Sequence, residues 1–376
     1  MHVAVILPNW VGDVVMATPL LRALRGHLGA AVRITAVLRP GYEDLLAGTD
    51  WVDAIIPYCR RAGRDDPAVG FQAVARRLRA DRPDVALMLP NSLSSAALAW
   101  AGGAGRRIGL SGHWRRALLT DVVPLPNAAQ LPTPLRFVAL LAPLGVPQPP
   151  LALELATTPA EQQAGDDLLA TLFPFHRGPL VVLNDNSANG AARGWGDDRF
   201  AALARLFVAR LPDCRVLVHC GPSDRESARA VVRAADLPQV RGMGDVAALP
   251  LGLSKALYAR AGLAVTTDSG PRHLAAAFGV PTVALVGPTK PLDGRSDTER
   301  CHEIRRDLPC SPCDRPVCPL VHNDCMRLIG VEEVCHTALE VFARVARAAT
   351  PPLSGFATSP VSSGGASITP LGDRPS

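Results

Sequence analysis

Short apolar runs alternate with amphipathic segments along this 376-residue chain, and the alternation stops and restarts once. The first set of strand-like runs falls near Val3–Leu7, Val32–Leu38, Ala54–Pro57, Val85–Leu89 and Arg107–Leu110. Helical patterns lie between them near Val14–Leu28, Ala68–Ala80 and Ser92–Ala101. Such alternation predicts a parallel sheet with helices on both faces. The stretch from Pro143 to Pro159, with Pro147, Pro149 and Pro150, breaks the pattern and reads as a linker. Strands then resume near Leu180–Asn184, Arg215–His219, Leu263–Thr267 and Thr282–Val286, with helices near Arg199–Leu211, Asp224–Ala235 and Pro271–Phe278. A helix over Val331–Ala348 precedes a Ser/Pro/Gly-rich tail, Thr350 to Ser376, with too little apolar surface to order itself. The expected fold is α/β: two doubly wound halves with a ligand cleft between facing carboxyl edges.

A chain of this length exceeds one ordinary core, which fits two domains. With 48% hydrophobic and 19% charged residues, the composition is that of a soluble globular protein. Lys plus Arg number 39 against 34 Asp plus Glu, a formal net charge of +5. That excess suits anionic small ligands or an anionic membrane surface. The dense basic clustering of a nucleic-acid groove is missing, so no nucleic-acid partner is expected. The N-terminal apolar run has no basic segment before it and reads as a buried strand rather than a secretory leader. No stretch approaches the ~20 uninterrupted apolar residues of a membrane helix. Leu135 to Leu144 is the most apolar helix-like piece, too short and bounded by prolines. A cytoplasmic location follows as the expectation.

Chemistry concentrates where strands turn into helices. The first strand runs into Pro8-Asn9-Trp10-Val11-Gly12-Asp13. Gly12 lets the backbone turn sharply and lets a ligand come close. Asp13 either caps the following helix or faces a substrate. In the restarted half, Asn184 leads into Asp185-Asn186-Ser187-Ala188-Asn189-Gly190-Ala191-Ala192-Arg193-Gly194-Trp195. Arg193 there either clamps a diphosphate through its planar fork or is simply solvated. After Leu263–Thr267 comes Asp268-Ser269-Gly270-Pro271-Arg272-His273. Ser269 and Gly270 fall at a helix N-terminus, where free N–H groups and the dipole attract phosphate. Pro271 suits the first helical turn. The plain alternative is a helix capped by Asp268 or Ser269. Gly287-Pro288-Thr289 supplies another turn on the same edge.

In their order, the Asn9-to-Asp13 corner, Ala192-Arg193-Gly194-Trp195, Asp268-Ser269-Gly270-x-x-His273, Gly287-Pro288-Thr289 and a late Cys-rich segment resemble one family. It is that of the ADP-heptose:lipopolysaccharide heptosyltransferases, glycosyltransferase family 9, above all its heptosyltransferase II branch. The resemblance covers roughly residues 1 to 345. It implies a GT-B fold, with an acceptor domain at 1–155, a nucleotide-sugar donor domain at 156–330, a helix at 331–349 and a flexible tail at 350–376. It also implies inverting, metal-independent transfer of heptose from ADP-L-glycero-D-manno-heptose to the heptose-bearing inner core of lipopolysaccharide. Asp13 matches the family's general base, the carboxylate that takes the acceptor hydroxyl proton. A carboxylate near a helix N-terminus stays ionised for that task. Arg193, Asp268, Ser269, Gly270 and His273 match the donor site, where charge on the departing diphosphate needs stabilising.

By the same mapping, Met243 lies near the adenine, and Asp224 or Glu226 accepts from the ribose hydroxyls. Gly12 and the basic residues Arg60, Arg61 and Arg64 fall on the acceptor side, with His113, Arg115 and Arg116 as a second basic group. A core methionine, solvated helix-start acids and solvated arginines are the structural alternatives. The family commonly has Lys where this chain has Arg193, whose planar group is not interchangeable with Lys, and this leaves the donor sugar open. The lipid-linked core oligosaccharide acceptor implies peripheral contact with the inner face of the inner membrane, by an enzyme expected to be monomeric.

Cys310, Cys313, Cys318 and Cys325 form C-x2-C-x4-C-x6-C, with His322 nearby. Thiols so spaced fit a structural zinc or iron–sulfur site. The spacing is not a paired C-x2-C motif, however, and Pro309, Pro312, Pro316 and Pro319 equally make it a rigid loop lining the cleft. No cofactor is expected in catalysis. Cys59, Cys214, Cys220, Cys301 and Cys335 are scattered and read as ordinary thiols. The same corners would also serve a transferase of other sugars or a non-catalytic nucleotide-sugar-binding module. A metal or redox protein built on the Cys segment is a further alternative.

Overall fold

The computed structural model describes residues 1–60, 66–112, 114–125, 127, 130–185, 190–290 and 300–349. Arg61, Arg64, His113, Asn186 to Asn189 and the tail from Thr350 lie outside these residues.

The first half runs β1 (His2–Ile6), α1 (Val11–Met16), α2 (Thr18–Leu28), β2 (Arg33–Leu38), β3 (Ala54–Pro57), α3 (Phe71–Asp81), β4 (Val85–Met88), α4 (Leu93–Ala101), β5 (Arg106–Leu110), β6 (Asp121–Val123) and α5 (Thr133–Val138). The second runs α6 (Pro159–Leu172), β7 (Leu180–Asn184), α7 (Asp197–Arg210), β8 (Arg215–Val218), α8 (Arg225–Ala235), β9 (Val240–Gly242), α9 (Leu251–Ala259), β10 (Leu263–Thr267), α10 (Gly270–Ala277), β11 (Thr282–Val286), β12 (Cys301–Arg305), α11 (Asp324–Arg327) and α12 (Val331–Ala349).

The strands form two six-stranded sheets, β3-β2-β1-β4-β5-β6 and β12-β11-β10-β7-β8-β9. Every pairing is parallel, and the two orders are the same doubly wound topology. Val5 sits between Ala36 and Leu87 in one sheet, Leu183 between Val265 and Val218 in the other. Every residue of β1, β4, β7, β10 and β11 is buried, which is why these strands read as unbroken apolar runs. The strands that sequence patterning missed, β6, β9 and β12, lie at the sheet edges, partly exposed, and carry no unbroken apolar run. Helices α6 and α9 were likewise not anticipated, while the helix-like piece at Leu135 to Leu144 falls on α5 and the 3-10 turn Ala139–Leu144 that continues it.

Several expected elements change shape. The helix expected over Val14–Leu28 is two helices that meet at Ala17, with Pro19 in the first turn of the second. The region expected as Ala68–Ala80 opens with a short 3-10 turn, Pro67–Val69, before α3. The Pro-rich linker is not a free tether. Leu153 and Leu155 are buried, Arg22 pairs with Glu154 at 2.6 Å, and the Glu154 N–H donates to Thr18 Oγ1 at 3.2 Å. At the linker's end Thr158 and Glu161 cap each other's backbone N–H groups, fixing the start of α6. α12 packs on α7, β10 and β11 of the second half.

The two halves are tied by a fully buried lysine. Lys255 Nζ of α9 donates to the carbonyls of Ala47 (2.9 Å) and Ala156 (2.7 Å) and pairs with Glu161 at 3.1 Å. The Gly252 N–H, at the start of α9, donates to Asp44 Oδ2 at 2.9 Å. Among the described residues no helix is long and apolar enough to cross a membrane.

Candidate functional site

In a doubly wound sheet, a crevice opens where the strand order reverses, beyond the carboxyl ends of the strands. Here the reversals lie between β1 and β4 and between β7 and β10. The loops after β1, β7 and β10 carry Asp13, Arg193 and Asp268, and all three line one cleft of about 930 Å³ between the halves.

Asp13 sits in the first turn of α1, whose N-cap is Trp10. Asp13 is therefore not the N-cap residue itself, and it lines the cleft. Arg39, Tyr42 and Arg136 share this wall. Tyr42 donates its hydroxyl to the Asn9 carbonyl at 3.1 Å and lies 5.7 Å from the Arg39 guanidinium. Burial, aided by the Asp13 charge, holds the Tyr42 phenol above its usual pKa despite Arg39.

The opposite wall begins at α10. Its N-cap, Ser269, makes no side-chain cap; the hydroxyl turns back to the Thr267 carbonyl at 3.4 Å. The plain capped-helix alternative is thus not what the chain adopts. Pro271 occupies the first turn, and Ser269 and Gly270 line the cleft. His273, one turn on, is buried, and its Nδ1 has no hydrogen-bond partner. Burial, reinforced by Arg272, drives its imidazole well below the usual range, so it stands neutral near pH 7. Arg272 is buried and divides its guanidinium between Asp268 (2.8 Å) and Glu303 (2.5 Å). Burial pushes the Asp268 carboxyl up, but the Arg272 charge and hydrogen bond, a Thr289 hydrogen bond and His273 together outweigh it and leave the group below the usual carboxylate range.

Arg193 reaches this corner from the loop after β7 and donates through Nη1 to the Asp268 carbonyl at 3.1 Å. The loop is held from two sides. Asp185 accepts from the N–H groups of Trp195 (2.9 Å) and Gly196 (3.1 Å). Burial raises the Asp185 carboxyl to about 6, against those hydrogen bonds. On the other side the Ala192 N–H donates to the Pro316 carbonyl at 3.1 Å. Gly190, at φ 118°, passes so close that a Cβ would stand 2.1 Å from that same oxygen.

Pro316 belongs to the Cys-rich segment, which also braces the next turn. Cys313 N–H donates to the Pro288 carbonyl at 3.0 Å, Ser311 Oγ to the Gly287 carbonyl at 2.8 Å, and Asp314 reaches the cleft. Cys310, Cys313 and Cys318 are half-buried, Cys325 is buried, and all are free thiols. Among the described residues no group of three or more His, Cys, Asp or Glu is arranged to hold a metal ion.

Past β8 the cleft continues along Cys220, Gly221 and Pro222, facing Leu249, Pro250 and Leu251. At its floor His219 Nε2 meets Ser254 Oγ at 2.9 Å, and Nδ1 meets Asn184 Nδ2 at 3.0 Å. Burial lowers the His219 imidazole to about 4.

The two corners touch. A Cβ on Gly12 would stand 2.7 Å from His273 Cδ2, and one on Gly270 3.5 Å from the Gly12 nitrogen. Gly12, Asp13, Arg193, Asp268, Ser269, Gly270 and His273 therefore converge as the sequence pattern indicates.

Other expected residues do not reach the cleft wall. Met243 is fully buried in the core of the second half, because its short 3-10 turn tucks under α8. Glu226 is exposed and pairs with Arg229 and Arg233. Asp224 is half-buried and accepts from Ser223. Arg60 is exposed beyond β3, off the cleft. Arg115 is buried and donates to the carbonyls of Leu110 (2.9 Å) and Pro90 (2.7 Å), so it braces its loop rather than meeting a ligand. The cleft's cations on the first half are instead Arg39 and Arg136. A Pro-Gly turn directly after β2 was the available signal for Arg39; nothing local marked Arg136.

The chain matches the family model described as Glycosyltransferase family 9 (heptosyltransferase) over residues 71–323. It is 30% identical to lipopolysaccharide heptosyltransferase 2 of Salmonella typhimurium over 302 residues, 77% of this chain and 84% of that protein. With the Escherichia coli K12 lipopolysaccharide heptosyltransferase 2 the identity is 29% over 301 residues, with the same shares. The solved structure of E. coli ADP-heptose LPS heptosyltransferase II superposes with a TM-score of 0.75 at 24% identity, covering 92% of this chain and 100% of that one. The family 9 glycosyltransferase from Veillonella parvula gives 0.76 at 23% identity, covering 91% and 97%.

Proposed function

Because the chain belongs to glycosyltransferase family 9, we propose that it transfers heptose from ADP-L-glycero-D-manno-heptose to the heptose-bearing inner core of lipopolysaccharide. The chain is a glycosyltransferase with two facing doubly wound halves, the GT-B arrangement. The observation that carries the finer reading is the apposition of Gly12-Asp13 with the uncapped start of α10 across one cleft.

The diphosphate of the donor lies at the N-terminus of α10, where the backbone N–H groups and helix dipole favour negative charge. Arg193 adds a fixed cation beside Asp268, and the unpartnered Nδ1 of neutral His273 offers a donor or acceptor at the same place. The apolar continuation past Pro222 and Leu251 receives the nucleoside. The acceptor approaches along the Arg39, Tyr42 and Arg136 wall, where guanidinium groups match anionic substituents.

Asp13 acts as general base. It takes the proton of the acceptor hydroxyl as that oxygen bonds to the anomeric carbon from the face opposite the leaving group. The bond from the anomeric carbon to the diphosphate oxygen breaks, its electron pair leaves with ADP, and configuration inverts. The charge that grows on ADP is stabilised at the α10 terminus and by Arg193. None of these steps draws on a cofactor. The donor is tested by thermal shift with ADP- and UDP-sugars, followed by turnover with a defined core acceptor. Stabilisation and transfer with ADP-heptose are expected; stabilisation by UDP-sugars alone would overturn the donor assignment.

A further inference from the structure

We propose that the Ser254 hydroxyl, oriented by Asn184 and His219, is a fixed hydrogen-bond donor that reads a ring-nitrogen acceptor on the base of the sugar donor. The orientation follows from atoms whose roles are set. The His219 carbonyl can only accept, so the Asn184 amide turns its Nδ2 toward it, at 2.9 Å. The same Nδ2 stands 3.0 Å from His219 Nδ1, which is therefore the accepting nitrogen. Burial lowers the imidazole to about 4 and keeps it neutral at pH 7, so its one proton sits on Nε2. That N–H donates to Ser254 Oγ at 2.9 Å. The Tyr258 ring packs edge-on against the imidazole, 5.2 Å between centroids, and holds it in this setting.

A serine hydroxyl that accepts from one partner keeps its single proton to give. Among the described residues Ser254 Oγ has no second partner. The Pro250 carbonyl, one turn back on α9, takes the Ser254 N–H instead, at 3.4 Å. Ser254 is only 5% exposed yet lines the cleft, so its proton points to a bound acceptor rather than to open water. The same arm of the cleft is lined by Cys220, Pro222, Leu249 and Leu251. These apolar groups suit the flat faces of a base, and the hydroxyl meets its edge. A purine offers ring-nitrogen acceptors on that edge, whereas an amino group in the same place would set donor against donor and be rejected.

The inference rests on the reading of an ADP-sugar donor whose nucleoside fills this arm of the cleft. The test is isothermal titration of the full chain with ADP and with its three deaza analogues, each replacing one ring nitrogen, N1, N3 or N7, by C–H. One analogue is expected to bind the wild type about 10-fold more weakly than ADP. Ser254→Ala should bind ADP itself about 10-fold more weakly and should no longer distinguish that analogue from ADP. His219→Phe keeps a ring but removes the N–H that fixes the hydroxyl, and should shrink the same penalty to about threefold or less. ADP binding with no analogue penalised, a penalty that persists in full in Ser254→Ala or His219→Phe, or a Ser254-dependent penalty for 2′-deoxy-ADP instead would overturn the proposal alone. No ADP binding by the wild type would strike the donor reading and this proposal with it.

Discussion

Gly12 and His273 meet across the cleft so closely that a methyl group on Gly12 would stand 2.7 Å from His273 Cδ2. His273 is buried, so its ring has little room to yield. Contact between α1 and α10 therefore sets the separation between Asp13, the proposed general base, and the proposed diphosphate site at the start of α10. Gly12→Ala should push these helices apart while leaving both sheets intact. We expect the transfer rate to fall about 100-fold, the scale of an ångström-sized misplacement, with little change in melting temperature. Steady-state kinetics alongside a thermal melt checks both halves of that statement.

Arg193 and Asp268 bind the loops after β7 and β10 to each other. Arg193→Ala should weaken ADP binding about 10- to 100-fold, the scale of a lost charge-assisted hydrogen bond. Arg193→Lys should fall between, because the charge survives but the planar fork does not. Isothermal titration with ADP measures this directly; unaltered affinity in Arg193→Ala would remove the residue from the donor site.

The sequence made the fold legible wherever a strand is buried on both faces, as in β1, β7 and β10, because the apolar run leaves no other placement. Edge strands β6, β9 and β12 escaped for the opposite reason: half their surface is wet, and their side chains follow no simple period. The site was legible where one loop carries both turn chemistry and charge, as at Gly12-Asp13 and Asp268-Ser269-Gly270. Contacts made by chain segments far apart were not. Arg272 reaches Glu303 on an edge strand, and Lys255 reaches Ala47 and Ala156; no local spacing encodes either. Met243 is fully buried, and a methionine facing a ligand and one filling a core look alike in sequence.

Lys255 is fully buried and pairs with Glu161 while tying the two halves together. Lys255→Met leaves Glu161 without its cation, and loss of one partner of a buried pair costs about 3–5 kcal/mol. Urea unfolding should register that loss, and Glu161→Leu in the same background should recover part of it. A Lys255→Met protein as stable as the wild type would show the pair to be unimportant.

Asp185 and His219 give opposite pH signatures. Burial raises the Asp185 carboxyl from 3.8 to about 6, so the folded chain holds that proton more tightly than the unfolded chain. Its contribution to stability is full below the unfolded value and is lost as pH rises through about 6. Asp185→Asn should therefore gain stability relative to the wild type between about pH 4 and pH 6. His219, lowered from 6.5 to about 4, contributes fully above the unfolded value and loses that contribution as pH falls through about 4. A His219→Asn protein should thus lose less stability than the wild type on acidification. Denaturant midpoints at several pH values resolve both slopes.

Asp13 in the first turn of α1, facing the uncapped start of α10, is the centre of this account. The most direct measurement is single-turnover sugar transfer by Asp13→Asn, with ADP affinity determined on the same protein. Removing a general base should slow transfer about 10²–10⁴-fold while ADP binds as tightly as to the wild type. Transfer by Asp13→Asn at the wild-type rate, with donor binding intact, would contradict the assignment of Asp13 as the base.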